Sequence, residues 1–248
     1  MSERWLRRRL ARESASHRTV CFPHAGGAAS FFAPWATAAP PQTEIWAVQY
    51  PGREDRLTER CVGDMDTLAA AVARHLVPLA DRPLVLFGHS LGALVAYETA
   101  RTLHREYGVA PAHLVVSGRR APTEPAAGDI HLRPDEEVVA ELVRLGGTDR
   151  RLLRDPDVRA VFLPAIRSDF RLAETYRHRA GTLLTCPITA VIGTEDTEVD
   201  TERALGWRHT TTGTFALRRL PGGHFYLIPQ RSAVLGLLAP EAADAIRP

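Results

Sequence analysis

The stretch that decides the fold is Leu84-Val-Leu-Phe-Gly-His-Ser-Leu-Gly-Ala93. Its apolar run of residues 84–87 predicts a buried strand, and the residues after Gly92 predict a helix that ends before Gly108. Gly-x-Ser-x-Gly between a strand and a helix is typical of a tight turn in which both glycines leave room for crowded backbone. Such a turn lifts the hydroxyl of Ser90 above a sheet edge, at the positive end of the helix dipole. We therefore predict that Ser90 is a catalytic nucleophile.

Composition limits the function classes that remain open. The chain has 248 residues, enough for one large domain or two small ones, and its net charge of +2 offers no reason to expect nucleic acid as a partner. No apolar stretch is long enough to span a membrane. All 31 basic residues are Arg, so a lysine Schiff base and a phosphate-binding P-loop lysine are excluded. The three cysteines are odd in number and widely spaced, which favours a reducing cytoplasm.

Apolar strands and helices alternate along much of the chain, which predicts a mostly parallel central sheet with helices on both faces. We expect the basic N-terminal stretch, residues 4–12, to be solvated and poorly ordered. Besides the central strand, strands are predicted at 19–22, 44–49, 113–117, 188–192 and 215–220. Helices are predicted at 31–39 with Ser30 as N-cap, 65–79 with Asp64 or Asp66 as cap, 201–207 and 232–246.

The alternation stops between residues 119 and 181, where the pattern predicts no strand. Three amphipathic helices are expected there, at 134–145, from Asp155 to Phe162, and at 164–176. A helical insertion of this size between two strands favours a lid over the site, although a purely structural cap would have the same pattern. We therefore predict a core of residues 1–118 and 182–248 with a helical lid subdomain at 119–181.

The partners that Ser90 needs can be sought by chain order. The Gly-x-Ser-x-Gly pattern alone arises by chance in about one chain in twelve of this length. A serine nucleophile requires a base, and the base requires an acid that orients it, in the α/β-hydrolase order Ser, Asp or Glu, His. His224 follows a late strand in a Gly-rich loop and is the predicted base. Asp196, after the strand at 188–192, is the predicted acid, with Asp200 as the second choice.

Two backbone amides are predicted to bind the oxyanion of the tetrahedral intermediate. The first is the N–H of Leu91, directly after the nucleophile, and the second is the N–H of Ala25, in the loop His24-Ala-Gly-Gly27 after an early strand. His24 and His89 flank the site and are expected to pack or orient other groups rather than act as the base. No metal-binding motif is present.

With these residues identified, the chain resembles the type II thioesterases that accompany polyketide synthases and nonribosomal peptide synthetases. The resemblance covers nearly the whole chain. Its motifs are Cys21-Phe-Pro-His-Ala-Gly-Gly27, Tyr50-Pro-Gly-Arg53, Gly88-His-Ser-Leu-Gly-Ala93, Ser117-Gly-Arg-Arg-Ala-Pro122, Leu163-Pro-Ala-Ile-Arg-Ser-Asp-Phe170, Cys186-Pro-Ile-Thr189 and Gly222-Gly-His-Phe-Tyr-Leu227. Two positions depart from the family pattern: Thr197 follows Asp196 where Pro is usual, and Ser168 stands where Ala is usual.

The resemblance implies an α/β-hydrolase fold and hydrolysis of acyl groups from the phosphopantetheine arm of acyl or peptidyl carrier proteins, which removes mis-primed or stalled units. By position, Ser90, His224 and Asp196 match the family's nucleophile, base and acid. The expected protein is a cytoplasmic monomer without cofactor or metal, and without nucleic-acid or membrane partners. A carboxylesterase or an acyltransferase on the same fold stays open, as does a non-catalytic homologue that only binds carrier proteins.

Overall fold

A computed structural model describes residues 4–124, 128–147, 153 and 155–240. Within these residues, seven strands form one sheet in the order β1-β3-β2-β4-β5-β6-β7. The strands are β1 (Leu6–Arg8), β2 (His17–Phe22), β3 (Thr43–Val48), β4 (Leu84–His89), β5 (His113–Ser117), β6 (Ile188–Gly193) and β7 (Phe215–Leu220). All neighbouring pairs are parallel except β1 with β3. The predicted mostly parallel sheet is confirmed.

Helices follow most strands and cover the sheet. They are α1 (Ala33–Ala38), α2 (Met65–Leu76), α3 (Leu91–Tyr107), α4 (Asp135–Leu145), α5 (Pro156–Thr175), α6 (Thr201–Leu205) and α7 (Arg231–Leu235). Short 3-10 helices at Ala29–Phe32, Val77–Leu79 and Gly206–Thr210 extend α1, α2 and α6. Asp64 is the cap of α2, because its carboxylate accepts the Thr67 amide at 2.8 Å. Gly108 ends α3 in the left-handed conformation, as predicted.

β4 lies in the middle of the sheet, and its side chains supply both faces of the core. Leu84 and Leu86 pack with α2 and α3 in one apolar cluster. Val85 and Phe87 pack with α1 and α7 in a second cluster on the opposite face. Because successive side chains of a strand point to opposite faces, this continuous apolar run needs helices on both sides.

The turn after β4 brings three backbone segments into contact. An ideal Cβ on Gly88 would lie 2.1 Å from the Gly92 carbonyl oxygen, and one on Gly92 would lie 2.0 Å from the Phe22 carbonyl oxygen at the end of β2. Ser90, between the two glycines, has φ 54° and ψ −116°. A side chain at either glycine would push α3 away from the sheet, so both glycines are required for this turn.

Two predictions about the chain ends are wrong. The N-terminal stretch is not solvated throughout, because β1 pairs with β3 and Leu6 is 1% exposed. A three-residue strand is too short to leave a periodic pattern in the sequence. The closing helix predicted to continue from 232 ends at Leu235 as α7, since Gly236 is a poor helix former and Pro240 disfavours helical backbone before it. The last part of that prediction, residues 241–246, lies outside the described residues.

Two helix boundaries also differ from the prediction. Ser30 is not an N-cap, because it lies inside the 3-10 helix before α1, where Gln49 Oε1 instead accepts the Ala29 amide at 2.8 Å. The two helices predicted on either side of Pro164 form the single helix α5. Pro164 lies on the exposed side of α5, while Leu163 and Ile166 pack in an apolar cluster. This packing outweighs the backbone hydrogen bond that a proline removes.

Across the ranges that the structure describes, no helix is both long enough and apolar enough to cross a membrane. The three cysteine side chains are free; Cys21 and Cys186 are buried, and Cys61 is partly exposed.

The contact at Gly92 predicts a large difference between two glycine substitutions. Gly92→Ala is expected to lower the free energy of unfolding by about 3 kcal/mol, because the new Cβ would collide with backbone that cannot move without displacing β2. Gly63→Ala is the control, since no atom lies within 4 Å of the Cβ it would add. Urea unfolding of both variants measures the difference, and equal midpoints would contradict the prediction.

Candidate active site

Ser90 lies at the N-terminus of α3, at the carboxyl edge of the sheet. Its amide donates to the Ser117 carbonyl at the end of β5 at 2.8 Å, and its carbonyl accepts the Ala93 amide at 3.0 Å. These bonds hold Ser90 in a positive-φ conformation that non-glycine residues rarely adopt. The position beside the free amides of a helix start favours negative charge near the hydroxyl.

His224 and Asp196 form a buried pair on two neighbouring loops. His224 Nδ1 lies 3.0 Å from Asp196 Oδ2 and 3.1 Å from Oδ1. Their side chains are 5% and 0% exposed. A backbone hydrogen bond connects the two loops, because the Glu195 amide donates to the Gly222 carbonyl at 3.0 Å. A carboxylate on Nδ1 selects the tautomer whose Nε2 can accept a proton.

The structure separates the two candidate acids. Asp200 is the N-cap of α6, where its carboxylate accepts the Arg203 amide at 2.8 Å, and its side chain is 63% exposed. Asp196 accepts the Glu198 amide at 2.9 Å in addition to contacting His224. Asp196 is thus the carboxylate that the fold brings to His224, and the Thr197 that replaces a proline does not displace it.

Ser90 and His224 line one cavity of about 260 Å³ together with Ala25 and Leu91, the two residues predicted to supply oxyanion donors. Side chains from the helical segment, including Phe170 of α5, also line it. A larger cleft of about 1190 Å³ opens between α2 and α3 and contains none of the predicted site residues. All five residues predicted for the site therefore come to one edge of the sheet.

The loop that carries Ala25 is a tight turn. The Gly27 amide donates to the His24 carbonyl at 2.9 Å, and Gly26 at the third position has φ +76°. A positive φ at this position is what a type II turn requires, so Gly26 is needed there. Among the described residues, no hydrogen bond engages the amide of Ala25.

His24 and His89 are packed beneath the site, as predicted. His89 Nδ1 lies 2.9 Å from the Ser117 hydroxyl, and His24 contacts the rings of Phe31 and Phe225 edge to face. Burial lowers the pKa of His24 to about 3, and burial and the nearby His224 hold the pKa of His89 well below its usual range. Both rings are therefore neutral at pH 7.

Two residues that sequence reasoning missed support the ring of His89. The hydroxyls of Ser117 and Tyr226 lie 2.6 Å apart, and Tyr226 donates to the Val191 carbonyl at 3.0 Å. This chain of hydrogen bonds links β5, β6 and the His224 loop beneath His89. Tyr226 stands two residues after His224 in the motif Gly222-Gly-His-Phe-Tyr-Leu227, and this placement is the sequence signal that could have identified it.

Comparison with known proteins identifies the family. The model of the thioesterase domain family matches residues 18–241. A probable cadicidin biosynthesis thioesterase of Streptomyces griseus is 44% identical over 99% of this chain, which spans 66% of that relative. The thioesterase PikA5 of Streptomyces venezuelae is 44% identical over 91% of this chain and 81% of its own length. The structure of the type II thioesterase BorB from the borrelidin biosynthetic cluster is 42% identical, covers 98% of both chains and superposes with a TM-score of 0.87.

The chain belongs to the thioesterase family. The predicted resemblance to the type II thioesterases is confirmed, and so are the α/β-hydrolase fold and the enzyme class, a hydrolase acting on thioesters.

The buried histidines of this thioesterase predict a loss of stability in weak acid. Burial lowers the pKa of His24 to about 3 and that of His113 to about 4, so the unfolded chain binds protons that the folded protein does not. The contribution of these two neutral histidines to the free energy of unfolding is complete above their unfolded pKa of about 6.5. It is lost as the pH falls below 6.5, by about 2 kcal/mol per residue at pH 5.

Urea unfolding at pH 7 and pH 5 measures this loss. His24→Gln is expected to lose about 2 kcal/mol less than the wild type between these pH values, because one of the linked protons is gone. His209→Gln, at an exposed histidine, is the control and should keep the wild-type pH dependence. An unchanged pH dependence in His24→Gln would contradict the prediction.

Proposed function

We propose that the protein hydrolyses acyl groups from the phosphopantetheine arm of acyl or peptidyl carrier proteins, and so clears mis-primed or stalled modules of a synthase. The chemistry uses Ser90 as nucleophile, His224 as base and Asp196 as the acid that orients it. Support comes from relatives named for polyketide or peptide antibiotic biosynthesis, including the gramicidin S biosynthesis protein GrsT, which is 35% identical over 99% of this chain. The free cysteines are compatible with a cytoplasmic site of action.

One observation carries the proposal. His224, whose Nδ1 lies 3.0 Å from the buried Asp196 carboxylate, lines the same cavity as Ser90 and the amide-bearing residues Ala25 and Leu91. A nucleophile, an oriented base and two oxyanion donors are the parts that acyl transfer to a serine needs. A protein that only bound carriers would have no need of this set, so the arrangement favours an enzyme.

The first half of the reaction is acylation of Ser90. His224 takes the hydroxyl proton as Ser90 Oγ attacks the thioester carbonyl, and the resulting oxyanion accepts hydrogen bonds from the Ala25 and Leu91 amides. The intermediate collapses when the C–S bond breaks, and the proton on His224 passes to the departing thiol. Asp196 stabilises the protonated His224 during both steps.

The second half releases the acid. His224 removes a proton from water as the water oxygen attacks the carbonyl carbon of the acyl–Ser90 ester. The second tetrahedral intermediate collapses when the bond between that carbon and Ser90 Oγ breaks, and the protonated His224 gives its proton to Ser90 Oγ. A thiol with a pKa of about 8.5 leaves more readily than an alcohol, so a thioester asks less of His224 as an acid than an ester does. The same groups could also hydrolyse a carboxylic ester. We propose a thioester as the substrate because the chain belongs to the thioesterase family.

We extend the proposal to the segment 119–181, as a helical lid over the core of residues 1–118 and 182–248. Three observations support it. The segment has an apolar cluster of its own around Val138, Leu142 and Phe170, separate from the two clusters that cover the sheet. Its side chains line the cavity of Ser90. It stands at the carboxyl edge of the sheet, where loops form sites in α/β folds.

The proposed activity predicts loss of acyl groups from carriers. Mass spectrometry of several acyl-carrier proteins after incubation should show free carrier and free acid with the wild type. Ser90→Ala should lower kcat by about 10⁴-fold without unfolding the protein. Near-normal turnover by Ser90→Ala would overturn the mechanism, a transferred acyl chain would indicate an acyltransferase, and turnover of aryl esters alone would indicate a carboxylesterase.

The acid is tested by a matched pair of substitutions. Asp196→Asn should lower kcat on the order of 10³- to 10⁴-fold, because the amide no longer selects the productive tautomer of His224. Asp200→Asn should change kcat by no more than about twofold, since Asn also caps a helix and the Asp200 side chain is exposed and binds the Arg203 amide. Steady-state kinetics on one acyl-carrier protein compares them, and a larger loss in Asp200→Asn would assign the acid to Asp200.

A further inference from the structure

A buried ion pair holds the turn that carries Ala25. Arg53 follows β3 in the motif Tyr50-Pro-Gly-Arg53, and Asp169 lies on α5. The Arg53 Nη1 donates to Asp169 Oδ2 at 2.7 Å, and Nη2 donates to Oδ1 at 2.8 Å. Their side chains are 5% and 3% exposed. Such a bidentate pair is geometrically well defined, because the planar guanidinium and the carboxylate must lie edge to edge in nearly the same plane.

Both members of the pair also bind the turn itself. Asp169 Oδ2 accepts the Gly26 amide at 2.8 Å, and Arg53 Nη1 donates to the Gly27 carbonyl at 3.0 Å. The Gly27 amide donates to the His24 carbonyl. This carbonyl and the Ala25 N–H belong to the same trans peptide group and point in opposite directions, so fixing one fixes the other. The direction of the Ala25 N–H is therefore set by bonds at three points of the turn.

Helix α5 packs directly on the turn as well. An ideal Cβ on Gly26 would lie 3.0 Å from Ile166 Cγ1, and Ile166 stands one helical turn before Asp169 on the same face. On the other side, a Cβ on Gly27 would lie 2.9 Å from the ring of His24. The turn is thus enclosed between α5 and a buried ring, and α5 also lines the cavity of Ser90 through Phe170.

We infer that Asp169 is a positioning residue for hydrolysis: with Arg53 it holds the His24–Gly27 turn so that the Ala25 amide faces the oxyanion. This inference rests on the proposed function, because it assigns the Ala25 amide the role of oxyanion donor. It makes the oxyanion site depend on a helix from the segment 119–181. The site is complete only when α5 is seated on the turn.

The role predicts a specific kinetic signature. Asp169→Asn places an amide against Arg53 and weakens the hold on Gly26, while the residue itself lines no part of the Ser90 cavity. Since the oxyanion forms only along the reaction path, kcat should fall by about 10- to 100-fold. KM for an acyl-carrier protein should stay within about twofold, and the pH dependence of kcat should keep its wild-type form.

Glu44→Gln is the matched control. Glu44 is also a buried carboxylate that accepts a backbone amide, from Arg12 at 3.0 Å, and pairs with an arginine, Arg18 at 3.1 Å. It lies near the start of β3, at the opposite end of the sheet from Ser90. Its substitution should lower the melting temperature in the same way but leave kcat unchanged. Arg53→Lys is the second variant, because it keeps the charge and loses the two-point contact with Asp169.

A second measurement reports on the oxyanion site without a carrier protein. An alkyl fluorophosphonate phosphonylates a catalytic serine, and its phosphoryl oxygen occupies the oxyanion position as fluoride leaves. The rate of mass gain at Ser90 should fall in Asp169→Asn and Arg53→Lys and stay at the wild-type value in Glu44→Gln. If Asp169→Asn does not fold, Arg53→Lys decides the result with the same measurements.

The outcomes separate this inference from the proposed function. Wild-type protein that is not labelled at Ser90, or that leaves acyl-carrier proteins intact, would overturn the proposed function. If the wild type is labelled and active, and Asp169→Asn and Arg53→Lys have the wild-type kcat and the wild-type labelling rate, only the positioning role would be overturned. An equal loss of kcat in Glu44→Gln would also overturn it, because the effect would then be a general loss of stability.

Discussion

The rest of the structure depends on the contact between three backbone segments at Gly88 and Gly92. The carbonyl of Phe22, at the end of β2, lies where a side chain at Gly92 would begin. This contact lets α3 start directly after β4 and holds Ser90 at positive φ. It also brings the loop after β2 beside the N-terminus of α3. The two amides proposed to bind the oxyanion come from these two segments, so one packing constraint sets both the nucleophile and its electrostatic surroundings.

Two kinds of buried ionisable group surround this contact: an ion pair and two neutral histidines. Arg53 and Asp169 are charged and satisfy each other, and the carboxylate outweighs burial and raises the pKa of Arg53. Within the part of the chain that the structure describes, neither His24 nor His89 forms an ion pair, and burial lowers their pKa instead. Neutral rings at these two positions matter for the proposed chemistry. A second positive charge beside His224 would oppose the proton that this residue must accept.

Strong local patterns predicted most of the fold. The strand β7 and the end of α3 at Gly108 have the predicted bounds, because a short run with apolar residues and a left-handed glycine are local signals. Where packing opposes a local signal, the prediction failed. Pro164 predicts a helix break, yet α5 continues because its neighbours Leu163 and Ile166 are held in an apolar cluster. The strand β1 leaves no pattern of its own and exists through its pairing with β3.

The sequence by itself determined the order of the elements, the turn around Ser90 and the residues His224, Asp196, Ala25 and Leu91 as candidates, because each follows a strand or a glycine pattern that is local in the chain. Only the tertiary structure decided which acid reaches His224, since Asp196 and Asp200 stand on the same loop. It also decided that the Asp169 carboxylate accepts the Gly26 amide in the His24–Gly27 turn. Those two residues are far apart in sequence, and the hydrogen bond between them exists only when α5 packs against the edge of the sheet.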